Sequence, residues 1–365
     1  GYSKNVSDVT FNWQAMPSYE FITTTNSDGF VRANNSEPQN PLLPANTNET
    51  GGGRIVDLIF AGLVAYEKDG TVTNEVAESI ETSDNQTFTV KLKDGWTFSD
   101  GTPVTADSFI KAWNYGALMS NAQLSSYAYE LIEGYSAEKD SELTGLAKVD
   151  DLTFTIKLTA PAHDFVKRLG TSAFYPLPES AYADMAAFGQ KPIGNGPYTL
   201  TEWVHDSQAV LAKNPSYQGV RLPKNEGITF IFYTSYDAAY NDLLSDAVDV
   251  IDAIPDSALA SFQDELGERA VNEPGALIQN FVINVNAEHW KMDDEGRARR
   301  AALSRAINRK QICDTLFYDT RTPASDFTSP TVPGWRDSVA GNEVLQFDEA
   351  EAKRLWDQAE AISSY

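Results

Sequence analysis

NQTFTVKLKDGWTFSDGTPVTADSF, residues Asn85 to Phe109, runs from an alternating strand through two turns into a helix. Phe88, Val90 and Leu92 fall on one face and Thr87, Thr89 and Lys91 on the other, the period of two expected of a half-buried strand. Asp94-Gly95 and Asp100-Gly101 supply the left-handed backbone that tight turns need. Thr105 suits an N-cap, Asp107 complements the dipole in the first turn, and Phe109, Ala112 and Trp113 form an apolar stripe. Trp96 and Trp113 are expected as core anchors of this unit.

The neighbouring sequence extends the pattern. Thr153 to Leu158, TFTIKL, nearly repeats Thr87 to Leu92, TFTVKL, and the two are expected as neighbours in one small sheet, since no further copies make a repeat array. Upstream, Asn46 to Gly53, NTNETGGG, reads as a flexible loop that opens into a helix from Arg54 to Ala65, with Ile55, Leu58, Ile59 and Leu63 on its buried side. Downstream, Ala209 to Leu211 and Ile228 to Phe232 read as strands, Asp237 to Leu244 as a helix, and Val248 to Ile251 as a short buried strand. Gln279 to Asn286, QNFVINVN, reads as another strand, and Phe347 to Ile362 places Leu355, Trp356, Ala359 and Ile362 at helical spacing. Phe11 to Phe21 fits no element clearly.

Taken singly, these residues suit any α/β domain. Their ordered combination resembles the bacterial extracellular solute-binding proteins of family 5, the oligopeptide, dipeptide and nickel receptors of ABC importers. The family's "AESW" segment is matched by Ala77-Glu78-Ser79-Ile80, and its "FxLRxGxxFxDGxPxTAxD" segment by Val90 to Asp107. Ile80 stands where an aromatic residue is usual, and Lys91 lies beside the usual arginine position. Ser36-Glu37-Pro38-Gln39-Asn40-Pro41 resembles the early "EPxxLDP" loop with an altered end. Pro192 to Tyr198 resembles "PxGTGPY" with Asn195 in place of threonine, and Asn214-Pro215-Ser216-Tyr217 resembles "RNPxYW". Ala247-Val248-Asp249-Val250 takes the place of "GEVDV", and Asn284 to Asn286 with Arg297 to Arg309 resembles "FNxxxxPFxDxRVRxALxxAIDR".

The resemblance implies an α/β, two-lobed periplasmic-binding-protein-like fold of class II type, with an extra subdomain in lobe 1. Residues 1–278 would form lobe 1 with an inserted subdomain at about 66–190, and 279–365 would begin a second lobe that is incomplete at its C-terminus. The acidic second-lobe residue that pairs with a peptide's amino terminus in oligopeptide receptors would then be absent. Ligand contacts implied by the family are Ser36, Glu37, Pro38 and Gln39 of the early loop, Tyr127, and Asn280 and Phe281 of a strand crossing the hinge. Each has a plainer alternative, with Glu37 a solvated loop acid, Tyr127 packed on its helix and Phe281 in a core. The implied role is capture of a peptide between lobes and its delivery to the membrane permease subunits of an ABC transporter, by a monomer without cofactor or metal. The implied compartment is extracytoplasmic, periplasmic or lipid-anchored at a bacterial cell surface, and an anchoring cysteine would precede Gly1.

Composition bounds the alternatives. A chain of 365 residues is long enough for two or three compact units. No apolar run is long enough to span a bilayer, and nothing at Gly1 reads as a signal peptide, so a soluble, processed product is expected. Against 52 acidic residues stand 28 basic ones, and a formal charge of −24 repels nucleic acid and anionic lipid. The basic stretch Arg297 to Lys310 is broken by apolar helix positions and reads as a solvated or salt-bridged helix face. The single cysteine, Cys313, excludes an internal disulfide and reads as helix core.

A hydrolase is the reading from the opposite class. The three histidines, His163, His205 and His289, stand outside any Gly-x-Ser-x-Gly or His-Glu-x-x-His motif. Adjacent acids such as Asp150-Asp151 sit at expected turns, whereas a glycosidase needs two acids from different elements facing one cleft. A receptor of the same fold for an oligosaccharide or another small solute ranks between peptide receptor and enzyme.

Overall fold

The computed structural model describes residues 2–3, 28–67, 70–332 and 334–365; the stretch Phe11 to Phe21 lies outside them. The described residues divide into two compact units, one within Tyr2–Ala253 and one within Ile254–Tyr365. In the larger unit the elements are β1 (Phe30–Asn35), α1 (Thr50–Ile59), β2 (Val64–Tyr66), β3 (Val72–Asn74), β4 (Ala77–Glu81), β5 (Thr87–Leu92), α2 (Ala106–Ala117), β6 (Leu146–Asp150), β7 (Thr153–Lys157), α3 (Phe165–Arg168), α4 (Met185–Gln190), β8 (Tyr198–Val204), β9 (Gln208–Lys213), β10 (Gly227–Phe232) and α5 (Tyr236–Leu244). The smaller unit contains α6 (Phe262–Leu266), α7 (Asp294–Ala306), α8 (Arg309–Leu316) and α9 (Glu349–Ile362).

The alternating strand at Thr87–Leu92 behaves as its pattern dictates. Phe88, Val90 and Leu92 are buried while the intervening residues face water. The near-repeat at Thr153–Lys157 is its antiparallel neighbour, with Phe88 opposite Ile156 and Val90 opposite Phe154, in a four-stranded sheet of order β4-β5-β7-β6. Helix α2 lays Phe109, Ala112 and Trp113 against this sheet, and the Trp113 ring meets Phe154 at 5.7 Å and Phe174 at 5.1 Å. The Trp113 indole N–H donates to the Phe174 carbonyl at 3.0 Å, satisfying the one polar atom its burial removes from water. At the start of α2 the Thr105 N–H donates to Ser108 Oγ at 3.1 Å, closing the first turn.

A second sheet has the order β1-β10-β9-β8, with β1 and β10 parallel and the other pairs antiparallel. Val248, Val250 and Ile251 are buried beside it as the short apolar run predicts, but the run is joined only by an isolated parallel bridge from Val250 to Ala33 and does not extend into the expected strand.

The glycine triplet differs from its expectation as a loop. A turn at Pro44–Asn46 precedes α1, which takes Gly51, Gly52 and Gly53 into its first turns and is capped by Glu49, whose carboxylate accepts from Gly52 N at 2.9 Å. A Cβ on Gly51 would lie 2.4 Å from the Ser36 carbonyl oxygen, so this glycine permits close approach to the β1 loop. The helix also stops at Ile59 instead of Ala65. Gly194 and Gly196 press against that end, and a Cβ on Gly194 would stand 1.8 Å from the Ile59 oxygen. Asn195 then pairs with Ala61 in both directions at 2.9 Å, drawing residues 61–63 away from helical bonding and toward β2.

Three sequence motifs meet at this point. The Trp96 indole N–H donates to the Asn195 carbonyl at 3.3 Å, and Ser99 N donates to the Gly194 carbonyl at 2.8 Å. Asn214 Nδ2 donates to the Gly196 carbonyl at 2.8 Å, while the Tyr217 ring meets Trp96 edge-on at 5.8 Å. Beneath them Arg221 forks onto Glu75 at 2.9 and 3.2 Å and also donates to the Phe60 carbonyl at 2.8 Å; the Tyr217 hydroxyl donates to the same carboxylate. Asp57 keeps some exposed surface, but its carboxyl lies inward beside the Tyr175 hydroxyl at 3.1 Å. Burial pushes that carboxyl up to about 6, against the opposing pull of Arg221.

In the smaller unit α7 packs on α9 around Arg299, which is fully buried. Its guanidinium donates to Glu295 at 3.0 Å, Glu360 at 2.7 Å and the Ser363 carbonyl at 2.7 Å, and it stacks over Trp356 at 4.7 Å. Arg297 and Lys310 form the exposed ion pairs expected of this basic stretch, whereas Arg299 is a core residue whose aromatic partner comes from α9. Cys313 is buried in α8, and burial raises its thiol above the ordinary range. The strand expected at Gln279 to Asn286 is instead irregular and mostly exposed, because no other described strand pairs with it to absorb its backbone hydrogen-bonding groups.

Candidate functional site

Open α/β sheets present ligands to the crevice beyond the carboxyl ends of their parallel strands. At that end of β1 the chain places Asn34, Asn35 and the loop Ser36 to Gln39. Asn34 and Asp252 pair reciprocally, the Asn34 Nδ2 donating at 2.7 Å and the Asp252 amide returning at 2.9 Å. Arg54, projecting from α1, forms an ion pair with the same carboxylate, and the Tyr236 hydroxyl donates to it at 3.4 Å. Asp252 and Asn34 are almost fully buried, so these contacts replace the water both groups lose. Asn35 is fixed by donating from Nδ2 to the Gly51 carbonyl at 2.9 Å. The result is a rigid, charged floor from which the loop emerges.

Of the sequence-predicted contacts of the larger unit, Ser36 to Gln39 follow directly from this floor. Ser36 and Gln39 are exposed, Pro38 is buried and Glu37 is partly covered. Glu37 is more than a solvated acid: it accepts from the Trp203 indole N–H at 3.0 Å and the Asp206 amide at 3.1 Å, and His205 Nδ1 lies 2.9 Å from it. Gln39 N donates to Glu49 at 3.2 Å, joining the loop to the cap of α1. Tyr127 projects from a 3-10 turn, Ser126–Tyr129, and is 65% exposed, so it does not pack into the core. Ser125, just before that turn, donates its amide to Ala45 at 2.9 Å, tying the turn to the chain that follows the early loop. In the smaller unit Asn280 and Phe281 lie on the irregular stretch, and Phe281 is 83% exposed.

Arg54, Asp252, Tyr236, Trp203 and His205 escape sequence reasoning. Arg54 carries a faint signal as a charge beside a buried helical stripe, but its partner lies 198 residues away and no local pattern identifies it. Among the described residues no group of three or more His, Cys, Asp or Glu is placed to hold a metal ion, and no helix is long and apolar enough to cross a membrane.

A sequence model of bacterial extracellular solute-binding proteins, family 5 Middle, matches residues 71–362. The chain belongs to this family. The family 5 chain is 26% identical over 319 residues to the dipeptide-binding protein DppE of Bacillus subtilis, covering 84% of itself and 57% of that relative. Its identity to the periplasmic murein peptide-binding protein MppA of Escherichia coli is 26% over 364 residues, covering 96% and 66%. The chain thus spans a little over half the length of DppE, the 57% given above. The solved structure of Escherichia coli murein tripeptide binding protein MppA superposes with a TM-score of 0.76 at 23% identity, over 92% of this chain and 66% of that one. Haemophilus influenzae OppA in complex with RPPGFSPFR superposes at 0.71 with 21% identity, over 93% and 68%. These likenesses show the α/β periplasmic-binding-protein fold expected from the motifs.

Proposed function

We propose that this family 5 chain belongs to the substrate-binding component of an ABC importer, one that captures peptides outside the cytoplasm and hands them to a membrane permease without chemical change. Family membership across residues 71–362 carries the proposal. The names of DppE and MppA, which state peptide ligands for those proteins, support peptide as the solute. An extended peptide offers repeating N–H and C=O groups. Leaving one buried and unpaired costs roughly 1–3 kcal/mol, so a receptor must meet them with loops and strand edges. Exposed Ser36 and Gln39 beside a fixed floor, and the open face of Tyr127, have the chemistry for that task. Ser36, Pro38, Gln39 and Tyr127 are the proposed contacts from residues 1–278, with Glu37 contributing through the loop it holds, and Asn280 and Phe281 are those from 279–365. Closure of one lobe on the other would then exclude water and form the surface a permease recognises.

Calorimetric titration with tri-alanine, a cello-oligosaccharide and a hydrolysis assay on both separates the classes. Saturable heat with tri-alanine and no cleavage is the expected result. Heat with the oligosaccharide alone transfers the function to a sugar receptor of this fold, and turnover of either compound refutes the receptor reading.

A further inference from the structure

Glu37, the acid of the early loop, occupies a junction between that loop and the end of β8. Its Oε1 faces the Trp203 indole N–H at 3.0 Å and His205 Nδ1 at 2.9 Å, while Oε2 accepts the Asp206 amide at 3.1 Å. All three partners belong to the end of β8 and the turn into β9. The Trp203 and His205 rings lie 4.5 Å apart, so the donors form one packed group. Asp206 is left-handed at φ 59°, a conformation that aims its N–H out of the ladder and at the carboxylate. The turn is tied back to β1 by a second route: Phe232 N donates to the Ser207 carbonyl and Tyr233 N to the Asn35 carbonyl, each at 2.9 Å. Glu37 therefore closes a ring that runs from β1 through the loop to the β8–β9 turn, across β10 and back to Asn35.

We propose that Glu37 is a positioning residue, which fixes the Ser36 to Gln39 loop on the β8–β9 turn and thereby sets where Ser36 and Gln39 meet the ligand, and that it makes no direct ligand contact. The proposal deepens the peptide-receptor reading and rests on it. A carboxylate with both oxygens already engaged by three donors has little capacity left for a ligand. Its neighbours are free to serve instead, since Ser36 and Gln39 are exposed on either side of buried Pro38.

The test is hydrogen exchange of residues 36–40 and 203–207, the Trp203 indole N–H resonance, and tri-alanine affinity, measured on the full protein as wild type, E37A and E37Q. Expected for E37A are a shifted indole resonance, exchange faster by about 10-fold or more in both segments, and affinity weaker by about 10-fold, with E37Q restoring only part of each because one amide oxygen still accepts while its NH2 replaces the second acceptor. Unchanged exchange and indole resonance in E37A overturn the proposal. So does weaker binding with the loop still protected, which would make Glu37 a direct contact, and so does a released loop with unchanged affinity. Failure of wild type to bind tri-alanine counts against the peptide reading, and the indole and exchange data then decide the clamp alone.

Discussion

Replacing Asn195 by alanine tests whether the Pro192 to Tyr198 motif works as a staple between backbones. Asn195 is fully buried, and its amide both donates to the Ala61 carbonyl and accepts from the Ala61 N–H at 2.9 Å. Alanine leaves both Ala61 groups buried and unpaired at roughly 1–3 kcal/mol each, so the expected loss is about 2–4 kcal/mol once partial relaxation is allowed. The assay is urea denaturation followed by tryptophan fluorescence, with Trp96, bonded to the Asn195 carbonyl, as a local reporter. Asn195→Asp sharpens the test. Ionised, the aspartate sets an oxygen against the Ala61 carbonyl where Asn195 places a donor; protonated, it can donate there again. The Asp variant should therefore regain stability as pH falls through its own titration, relative to wild type. A loss below about 1 kcal/mol for the alanine variant, or an Asp variant as stable as wild type at pH 8, would refute the staple.

Breaking the buried Arg54–Asp252 pair by Asp252→Ala should cost about 3–5 kcal/mol in the same denaturation assay, and the Arg54→Met, Asp252→Leu double variant should cost less than the single change. Asp57 is raised from 3.8 to about 6, so between those pH values the folded state binds more protons than the unfolded one, and stability falls as pH rises through the window. This shift corresponds to at most about 3 kcal/mol, and Asp57→Asn should remove that slope relative to wild type; parallel stability curves would contradict the burial argument. Tyr127→Ala should leave the melting temperature within about 2 °C of wild type while weakening tri-alanine binding by about 10-fold, since the side chain is 65% exposed.

Where information was local, the sequence told the structure plainly. Phe88, Val90 and Leu92 alternate because one face of their strand is buried, and Thr105 starts a helix because its surroundings cap one. The glycine triplet misled because Glu49 caps it into a helix and Gly51 fits against Ser36, which the chain brings near only on folding. The end of α1 misled for the same reason, since Asn195 reaches it from 134 residues away. Gln279 to Asn286 has the alternation of a strand but lacks a paired neighbour among the described residues, and a strand is a property of pairs. At the candidate site the early loop carries the resemblance to the family's motif, whereas the pairing of Arg54 with Asp252 and the Glu37 ring are assembled by long-range contacts with no local signature.

The most direct measurement is native mass spectrometry of the protein purified from its own cells, followed by denaturation to identify what is released. A ladder of bound peptides is the result the account predicts. A bound sugar or metal complex, with no peptide, would contradict it.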